Sequence, residues 1–519
     1  MEILRKELIE LREYQINIAN TAMKYNTLVI LPTGTGKTII AIIVAANRLT
    51  KYPESKILML APTRPLCAQH KKTFEKLLKI EPSKIALITG KIPAQDREYL
   101  YKISKIIIAT PETIRNDLEN NRLRLDDFSL LIIDEAHRCV KEYAYTYVAK
   151  VYKEQSKYPL IIGLTASPGS EKERIEEIKR NLSIEKVEIR TGKESDIAKY
   201  MKKIETYFVY VDLPNELKVA ISYLNDLRNE LIKWLKEKNV ISDENLKKKE
   251  IVNLYKEFVE KSEEMNLNQY VKFAIITKII QLIKVDYMLE LLETQSSHFF
   301  LEYVEKLKNS KKAYEKALFE DVRIRRAYEI VKQYLSLNVP HPKLVKLIEI
   351  IKKLIEVNKN VKIIVFANYR ATVDYIYKSL QKENIKVAKL IGQAKKGKDK
   401  GMTQREQIYT IRNFAEGYYN VLVCSSIGEE GLDIPKTDYA IFYEPVPSEI
   451  RFIQRRGRVG RQESGKIIIL LTKGTRDEAY YWAAFHKERK MKRLMIKTKE
   501  ELEKEIALWF KNLYLPSLS

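Results

Sequence analysis

Cysteine is nearly absent from the 519-residue chain. Cys67, Cys139 and Cys424 are the only three, far apart and without metal-ligand spacing. They build neither a disulfide framework nor a zinc site, and they suit a reducing compartment. Long apolar runs are missing too: a membrane-spanning helix needs about 20 such residues, and no segment approaches that. The charged, amphipathic start Met1–Glu13 is unlike a secretory signal, so the expected location is the cytoplasm. Glycine is scarce, with 16 in all and none between Asn215 and Leu337, which predicts that this stretch is helical. Acidic residues are outnumbered, 69 Asp and Glu against 93 Lys and Arg, a net charge of +24. Such a surplus favours a polyanionic partner, nucleic acid first. A hydrophobic content of 45% excludes general disorder, and the length predicts two or three domains.

What is present alternates. From Asn26 to about Arg190 the apolar runs Leu28–Leu31, Ile57–Ala61, Ile85–Ile88, Ile106–Ala109, Leu130–Ile133 and Leu160–Leu164 are separated by amphipathic stretches. That is the pattern of a parallel sheet covered by helices on both faces. A second series, Val361–Phe366, Val387–Ile391, Val421–Ser425, Tyr439–Tyr443 and Lys466–Leu471, predicts a second α/β domain. Between them Leu224, Leu227, Leu231, Ile232 and Leu235 have helical spacing. The run Thr206–Asp212 reads as a strand of the second sheet, which would make the helices an insertion within the second domain. The division expected is residues 1–200 for the first domain, 201–214 with 341–480 for the second, 215–340 for the insertion, and 481–519 for a helical C-terminal extension.

Chemistry concentrates at three places. Leu31-Pro32-Thr33-Gly34-Thr35-Gly36-Lys37-Thr38 lies between an apolar run and a helical pattern. A strand, a glycine-containing loop and a helix start form a phosphate cradle, in which backbone amides turn toward the anion. Lys37 then reaches the β- and γ-phosphates and Thr38 holds Mg²⁺. Leu31 stands where the usual pattern has its first glycine. At Leu130-Leu131-Ile132-Ile133-Asp134-Glu135-Ala136-His137 a buried strand ends in two acids. Beside a phosphate loop, Asp134 can bind Mg²⁺ and Glu135 can deprotonate the attacking water. His137 suits either a structural hydrogen bond or a coupling role, and the Thr165 and Ser167 hydroxyls of Thr165-Ala166-Ser167-Pro168 can sense the γ-phosphate site. Downstream, Gln454-Arg455-Arg456-Gly457-Arg458-Val459-Gly460-Arg461 places Arg458 and Arg461 three apart, on one side of an expected helical turn. Guanidinium groups there would complete an ATP site between the two sheets, with Gln454 beside them.

This ordered set resembles superfamily 2 helicases and translocases of the DEAH type. The resemblance implies two tandem RecA-like parallel-sheet domains with an all-helical insertion, ATP and Mg²⁺ as cofactors, and a grip on nucleic acid. Leu11-Arg12-Glu13-Tyr14-Gln15 is similar to the element that reads adenine, with Arg12 and Gln15 as nucleotide contacts. Ala61-Pro62-Thr63-Arg64-Pro65-Leu66 resembles motif Ia and Thr110-Pro111-Glu112-Thr113 motif Ib. Val365-Phe366-Ala367-Asn368-Tyr369-Arg370 resembles motif IV, and Ser425 to Ile434 motif V. Those four imply backbone contacts from Thr63, Arg64, Thr110, Asn368, Arg370, Ser425 and Ser426, and nucleotide coupling through Gly431 and Asp433. Hydroxyl, Arg and amide groups suit phosphate binding without sequence readout.

A narrower resemblance, carried by Thr403-Gln404-Arg405-Glu406-Gln407, by Ile391-Gly392-Gln393 and Lys400-Gly401-Met402 before it, and by the position of the insertion, is to the archaeal Hef and Fanconi anaemia M group. It implies a DNA helicase or translocase acting on forks and branches, of 3′ to 5′ polarity. No E-R-K-x-x-x-D nuclease motif is visible, so a separate repair nuclease or a sliding clamp is a candidate partner. The expectation is a standalone helicase or a piece of a longer chain. Two other readings stand beside it. The RIG-I-like and Dicer branch, with the same insertion, would make this a double-stranded RNA-stimulated ATPase, and loss of turnover would leave a nucleic-acid-binding scaffold. Lys247–Lys249, Lys272, Lys278, Lys284, Arg323, Arg325 and Arg326 are the insertion's candidate contacts.

Overall fold

The computed structural model describes residues 3–513 apart from 193, 202, 245, 247, 262–267, 338, 394–400, 429–431, 433, 447 and 461–463. Isoleucine- and valine-rich runs, buried on both faces, form the strands of two separate parallel sheets. In the first sheet these are β1 (Thr27–Ile30), β2 (Lys56–Leu60), β3 (Ile85–Ile88), β4 (Ile106–Ala109), β5 (Phe128–Asp134), β6 (Ile161–Thr165) and β7 (Lys186–Ile189). Their order is β3-β4-β2-β5-β6-β1-β7. Strand β1 therefore lies beside β6 and one strand from β5, so the loops after β1, β5 and β6 open at one edge. Ligands of open parallel sheets sit at that edge. Strand β7 is absent from the apolar runs of the sequence because Lys186, Val187 and Glu188 remain partly exposed on an edge strand, where charge discourages further pairing.

The second sheet contains β8 (Lys203–Val211), β9 (Ile363–Phe366), β10 (Val387–Leu390), β11 (Val421–Cys424), β12 (Tyr439–Phe442) and β13 (Ser464–Thr472), in the order β10-β11-β9-β12-β13-β8. The strand expected around Thr206–Asp212 is β8, paired in parallel with β13 from Lys203 opposite Ser464 to Val211 opposite Thr472. The chain thus enters the second sheet, leaves it for the helices, and returns through the helix Pro342–Val357 to β9.

The inserted helices surround their own core. Leu224, Leu227, Leu231, Ile232 and Leu235 of the helix Asn215–Glu237 pack with Ile279, Leu282 and Val285 of Gln269–Glu290 and with Ile324 and Val331 of Val322–Ser336. A π-helical turn, Leu291–Gln295, joins Gln269–Glu290 to Ser297–Lys308. The last helix, Arg476–Leu513, starts on the second sheet, where Tyr481 and Ala484 are buried, and passes on to the first, where Met491 and Met495 join the core that contains Ile178 and Ile189. Among the described residues no helix is long and apolar enough to cross a membrane.

Candidate active site and nucleic-acid groove

The phosphate loop begins where β1 stops. Gly34 and Gly36 have left-handed backbones, φ +77° and +81°, which glycine adopts at least cost. A Cβ on Gly36 would stand 2.5 Å from Nε2 of Gln15. Gln15 Nε2 donates to the Thr35 carbonyl at 3.1 Å, its Oε1 accepts from the Arg12 amide at 3.1 Å, and the Tyr14 hydroxyl donates to the same Thr35 carbonyl. The helix Glu13–Ala22 thereby braces the loop from outside. Lys37 opens the helix Lys37–Lys51 and turns its ammonium back, donating to the carbonyls of Leu31 (3.1 Å) and Pro32 (3.2 Å). Burial holds the Lys37 pKa below the ordinary lysine range, opposed by the carboxylates of Glu135 and then Asp134. Thr38 follows on the first helical turn, partly exposed.

Asp134 ends β5 and is buried. Its Oδ2 lies 2.8 Å from His70 Nε2, and its Oδ1 accepts from the Glu135 amide at 3.0 Å. Burial works to raise its pKa, but His70, Lys37 and that amide together hold it below the usual carboxylate range. Glu135 takes a left-handed backbone, φ 55° and ψ 48°, a strained choice for a residue with a side chain and one that clusters at functional sites. Its Oε2 sits 3.1 Å from His137 Nδ1, which is 3.2 Å from the Thr165 hydroxyl. Thr165 in turn accepts from the Ser167 amide at 3.1 Å, and the Ser167 hydroxyl lies 3.6 Å from the Met491 sulfur. One continuous path of contacts therefore leads from the acidic strand end to the C-terminal helix.

The second domain faces this loop. A Cβ on Gly457 would meet Thr33 Oγ1 at 2.8 Å, and one on Gly34 would meet Lys436 Nζ at 3.1 Å. Arg456 pairs with Glu488 at 2.7 Å, and Arg458 Nη1 donates to the Leu432 carbonyl at 3.0 Å. A 340 Å³ cavity lies among Thr33, Gly34, Thr35, Lys436, Arg456 and Gly457. A larger one of 810 Å³ opens on the other side, between Arg12, Gln15 and Gly36 and the second domain's Gln404, Arg412 and Leu432. Gln454 borders a third, of 990 Å³, together with His137, Arg138 and Ser426. The helical turn expected to carry Arg458 stops short of it. The helix Glu449–Arg456 ends before Arg458, because the chain is drawn into a bridge between Val459 and Thr437 and turns at Gly460, φ +106°. Arg461, Gly431 and Asp433 lie outside the described residues, as does Lys247.

A separate groove of 700 Å³ collects residues from all three parts: Thr63 from the first domain, Asn368, Arg370, Ser425 and Ser426 from the second, and Tyr303 from the insertion. Arg370 donates to the Gly392 carbonyl at 2.8 Å. Asn368 is turned inward: its Oδ1 accepts from Arg455 at 2.7 Å and its Nδ2 donates to the Pro445 carbonyl at 3.3 Å. Arg455 is fully buried between Phe366 and Phe442 and braces the groove wall rather than a ligand. Arg64 approaches Gly90, and Thr110 is buried 2.9 Å from the Thr113 hydroxyl; neither lines this groove. In the insertion, Lys284 pairs with Glu315, Arg323 with Asp321 and Glu230, and Arg325 with Glu320. Each of those cations is thus paired within the insertion.

Residues 12–175 match the family described as DEAD/DEAH box helicase, and residues 344–463 match the helicase conserved C-terminal domain. The crystal structure of the Hef helicase domain of Pyrococcus furiosus is 42% identical, with a TM-score of 0.71 over 93% of this chain and 100% of that one. The chain belongs to the DEAD/DEAH-box helicases. Within them it is a Hef-type helicase region. A Methanocaldococcus jannaschii protein, provisionally named an ATP-dependent RNA helicase, is 44% identical over 95% of this chain and 62% of its own length. The ATP-dependent DNA helicase fml1 of Schizosaccharomyces pombe is 33% identical over 90% of this chain and 57% of its own. The chain thus spans roughly three fifths of the length of these two curated relatives. For this helicase region two site residues escaped the sequence reading. His70 shares the buried stripe of Cys67 and Phe74 on the helix Arg64–Leu77, so its spacing is that of a core residue. Lys436 stands beside Pro435 in a segment without secondary structure, and only the approach of the two domains brings it to the phosphate loop.

Proposed function

We propose that the chain is an ATP-dependent DNA helicase or translocase that acts on forked or branched DNA. The observation that carries this is the meeting of the phosphate loop, the acidic end of β5 and the second domain's Lys436 and Gly457 at one cleft, next to a groove shared by all three parts. The cradle fits ATP and Mg²⁺: two left-handed glycines leave room for phosphate, and the Thr38 hydroxyl and the Asp134 carboxylate are hard oxygen donors. Thr38 and Asp134 would hold the metal, which would supply positive charge against the phosphates. Lys37 supplies positive charge to the phosphates, and Glu135, oriented by His137, takes the proton of the attacking water. Arg458, with Arg461, serves the phosphates from the second domain, and Gln454 positions water beside them. Arg12 and Gln15 contact the base through the larger cavity. Hydrolysis that opens and closes the two sheets would shift the grip of Thr63, Arg370, Ser425 and Ser426 along one strand.

DNA is favoured by the name of the fission-yeast relative. The archaeal relative's name favours RNA as the second reading. A repair nuclease or a sliding clamp is the proposed partner class. The test is ATP hydrolysis with single-stranded DNA, linear duplex, forked DNA and double-stranded RNA of matched length, with Lys37→Ala as blank. Strongest stimulation by the fork supports the reading, stimulation chiefly by RNA replaces its substrate, and no activity above the blank refutes the motor.

A further inference from the structure

The groove has two unlike walls. One carries hydroxyls and a guanidinium, Thr63, Ser425, Ser426 and Arg370, with Asp374 beside them and paired to Lys389. The other comes from the insertion and is largely aromatic, with Tyr287, Phe299 and Tyr303 beside Glu302 and Lys306. Phe299 and Tyr303 are four apart on the helix Ser297–Lys308, so they share a face. Tyr303 meets Tyr287 edge to face, with ring centroids 4.8 Å apart. All three rings are partly exposed to the cavity rather than sealed in the helical core.

Their place is fixed relative to the polar wall. The π-helical turn Leu291–Gln295 lies between Tyr287 and Phe299 and itself lines the groove through Leu291 and Gln295. Such turns are rare and recur at functional sites. Just before it, Glu290 accepts a hydrogen bond from the Tyr369 hydroxyl at 2.9 Å, one residue from Arg370. Behind it, the Tyr443 hydroxyl donates to the Gln295 carbonyl at 3.4 Å. The aromatic wall is thus registered to the segment that supplies Arg370.

A ligand that suits both walls carries anionic oxygens along one side and flat apolar rings along the other, which describes one strand of nucleic acid with its bases turned away from its phosphates. We propose that Tyr287, Phe299 and Tyr303 are a base-stacking wall for a single strand held in this groove, with its phosphates toward Arg370, Ser425 and Ser426. This rests on the reading of the groove as a nucleic-acid path and adds to it a contact to the bases. Stacking of this kind tolerates any base, because each has a π face, so the wall would add affinity without sequence preference.

The test compares two oligonucleotides of equal length and charge, oligo-dT and the same backbone with tetrahydrofuran abasic positions, by fluorescence anisotropy at fixed salt. The wild-type chain is expected to bind the base-bearing strand more tightly. Phe299→Leu and Tyr303→Leu should each weaken that binding roughly 5- to 150-fold while leaving affinity for the abasic strand unchanged. Tyr303→Phe, which keeps the ring, should restore it, and near-normal thermal unfolding of each variant excludes a folding defect. Equal losses on both strands, or none on either, would overturn the wall while leaving the motor reading in place. A wild-type chain that binds neither strand would overturn the wall and, with it, the reading of the groove as a nucleic-acid path.

Discussion

Replacing Glu444 by glutamine is expected to stabilise the protein in neutral and mildly alkaline solution and to change little in acid. Glu444 follows β12 and is buried, with one carboxylate oxygen accepting from the Asn368 amide at 2.5 Å and the other without a hydrogen-bond partner. Burial is the main cause that pushes its pKa up to about 7. The Asn368 amide, Lys343 and Arg455 pull it down and Asp477 pushes it further up. A carboxyl whose folded pKa is raised binds its proton more tightly in the native state, so the native state loses stability as pH climbs. The loss begins near the ordinary value of 4.5, is complete above about 7, and is absent below both. At 1.36 kcal/mol per pH unit this gap corresponds to about 3 kcal/mol, an upper figure for a glutamine that never ionises. For a folding unit of 150–250 residues that is roughly 6–12 °C in melting temperature. The assay is thermal unfolding of parent and Glu444→Gln at half-unit steps from pH 4.5 to 8.5, in which the difference cancels all other titrating groups. A difference curve that is flat, or one in which the variant is the less stable at pH 8, would refute the reasoning, since it would mean that Glu444 is comfortably ionised in place.

Two further outcomes follow from the geometry. Glu135→Gln keeps the shape of the strand end but cannot accept a proton, so turnover should fall roughly 10²- to 10⁴-fold while nucleotide binding persists; turnover within a factor of ten of the parent would remove Glu135 as the base. Lys343 and Asp477 form an ion pair with side chains 0% and 1% exposed, and Asp477 also accepts from the amide and hydroxyl of Thr472. Lys343→Met strands the carboxylate and should cost about 3–5 kcal/mol, measured by denaturant unfolding. The double variant Lys343→Met with Asp477→Leu should recover most of it, and an equal loss in both would refute a charge-based origin.

The legible part of the molecule is the part whose chemistry is local. Buried parallel strands announce themselves as β-branched runs, which is why β1 to β6 and β9 to β13 stand out, and the phosphate loop and acidic strand end carry their residues in sequence. Even β8 could be assigned from one apolar run. What depends on distant segments was hidden. His70 looks like a core residue until β5 is laid beside its helix. Lys436 reaches the phosphate loop only because the second domain lies against the first. Helical spacing misplaced Arg458 because a bridge to Thr437, more than twenty residues upstream, ends the helix early. Asn368 sits where a family motif expects a ligand contact, yet Arg455 holds its side chain inward.

The way the helical insertion is mounted has a mechanical consequence. It leaves the second sheet from β8 at the edge and returns through Pro342–Val357 to β9, three strands further in. At about 4.8 Å per strand the two strands that anchor it are roughly 14 Å apart. A body hung from one tether swivels, whereas one fixed at two separated points transmits torque. Arg476, at the root of the helix that reaches Ser167, adds a third fastening by its bonds to Asp286 and Glu293. Any rotation of the second sheet over the first must therefore carry the insertion with it as an arm, and the far end of that arm travels further than the cleft opens.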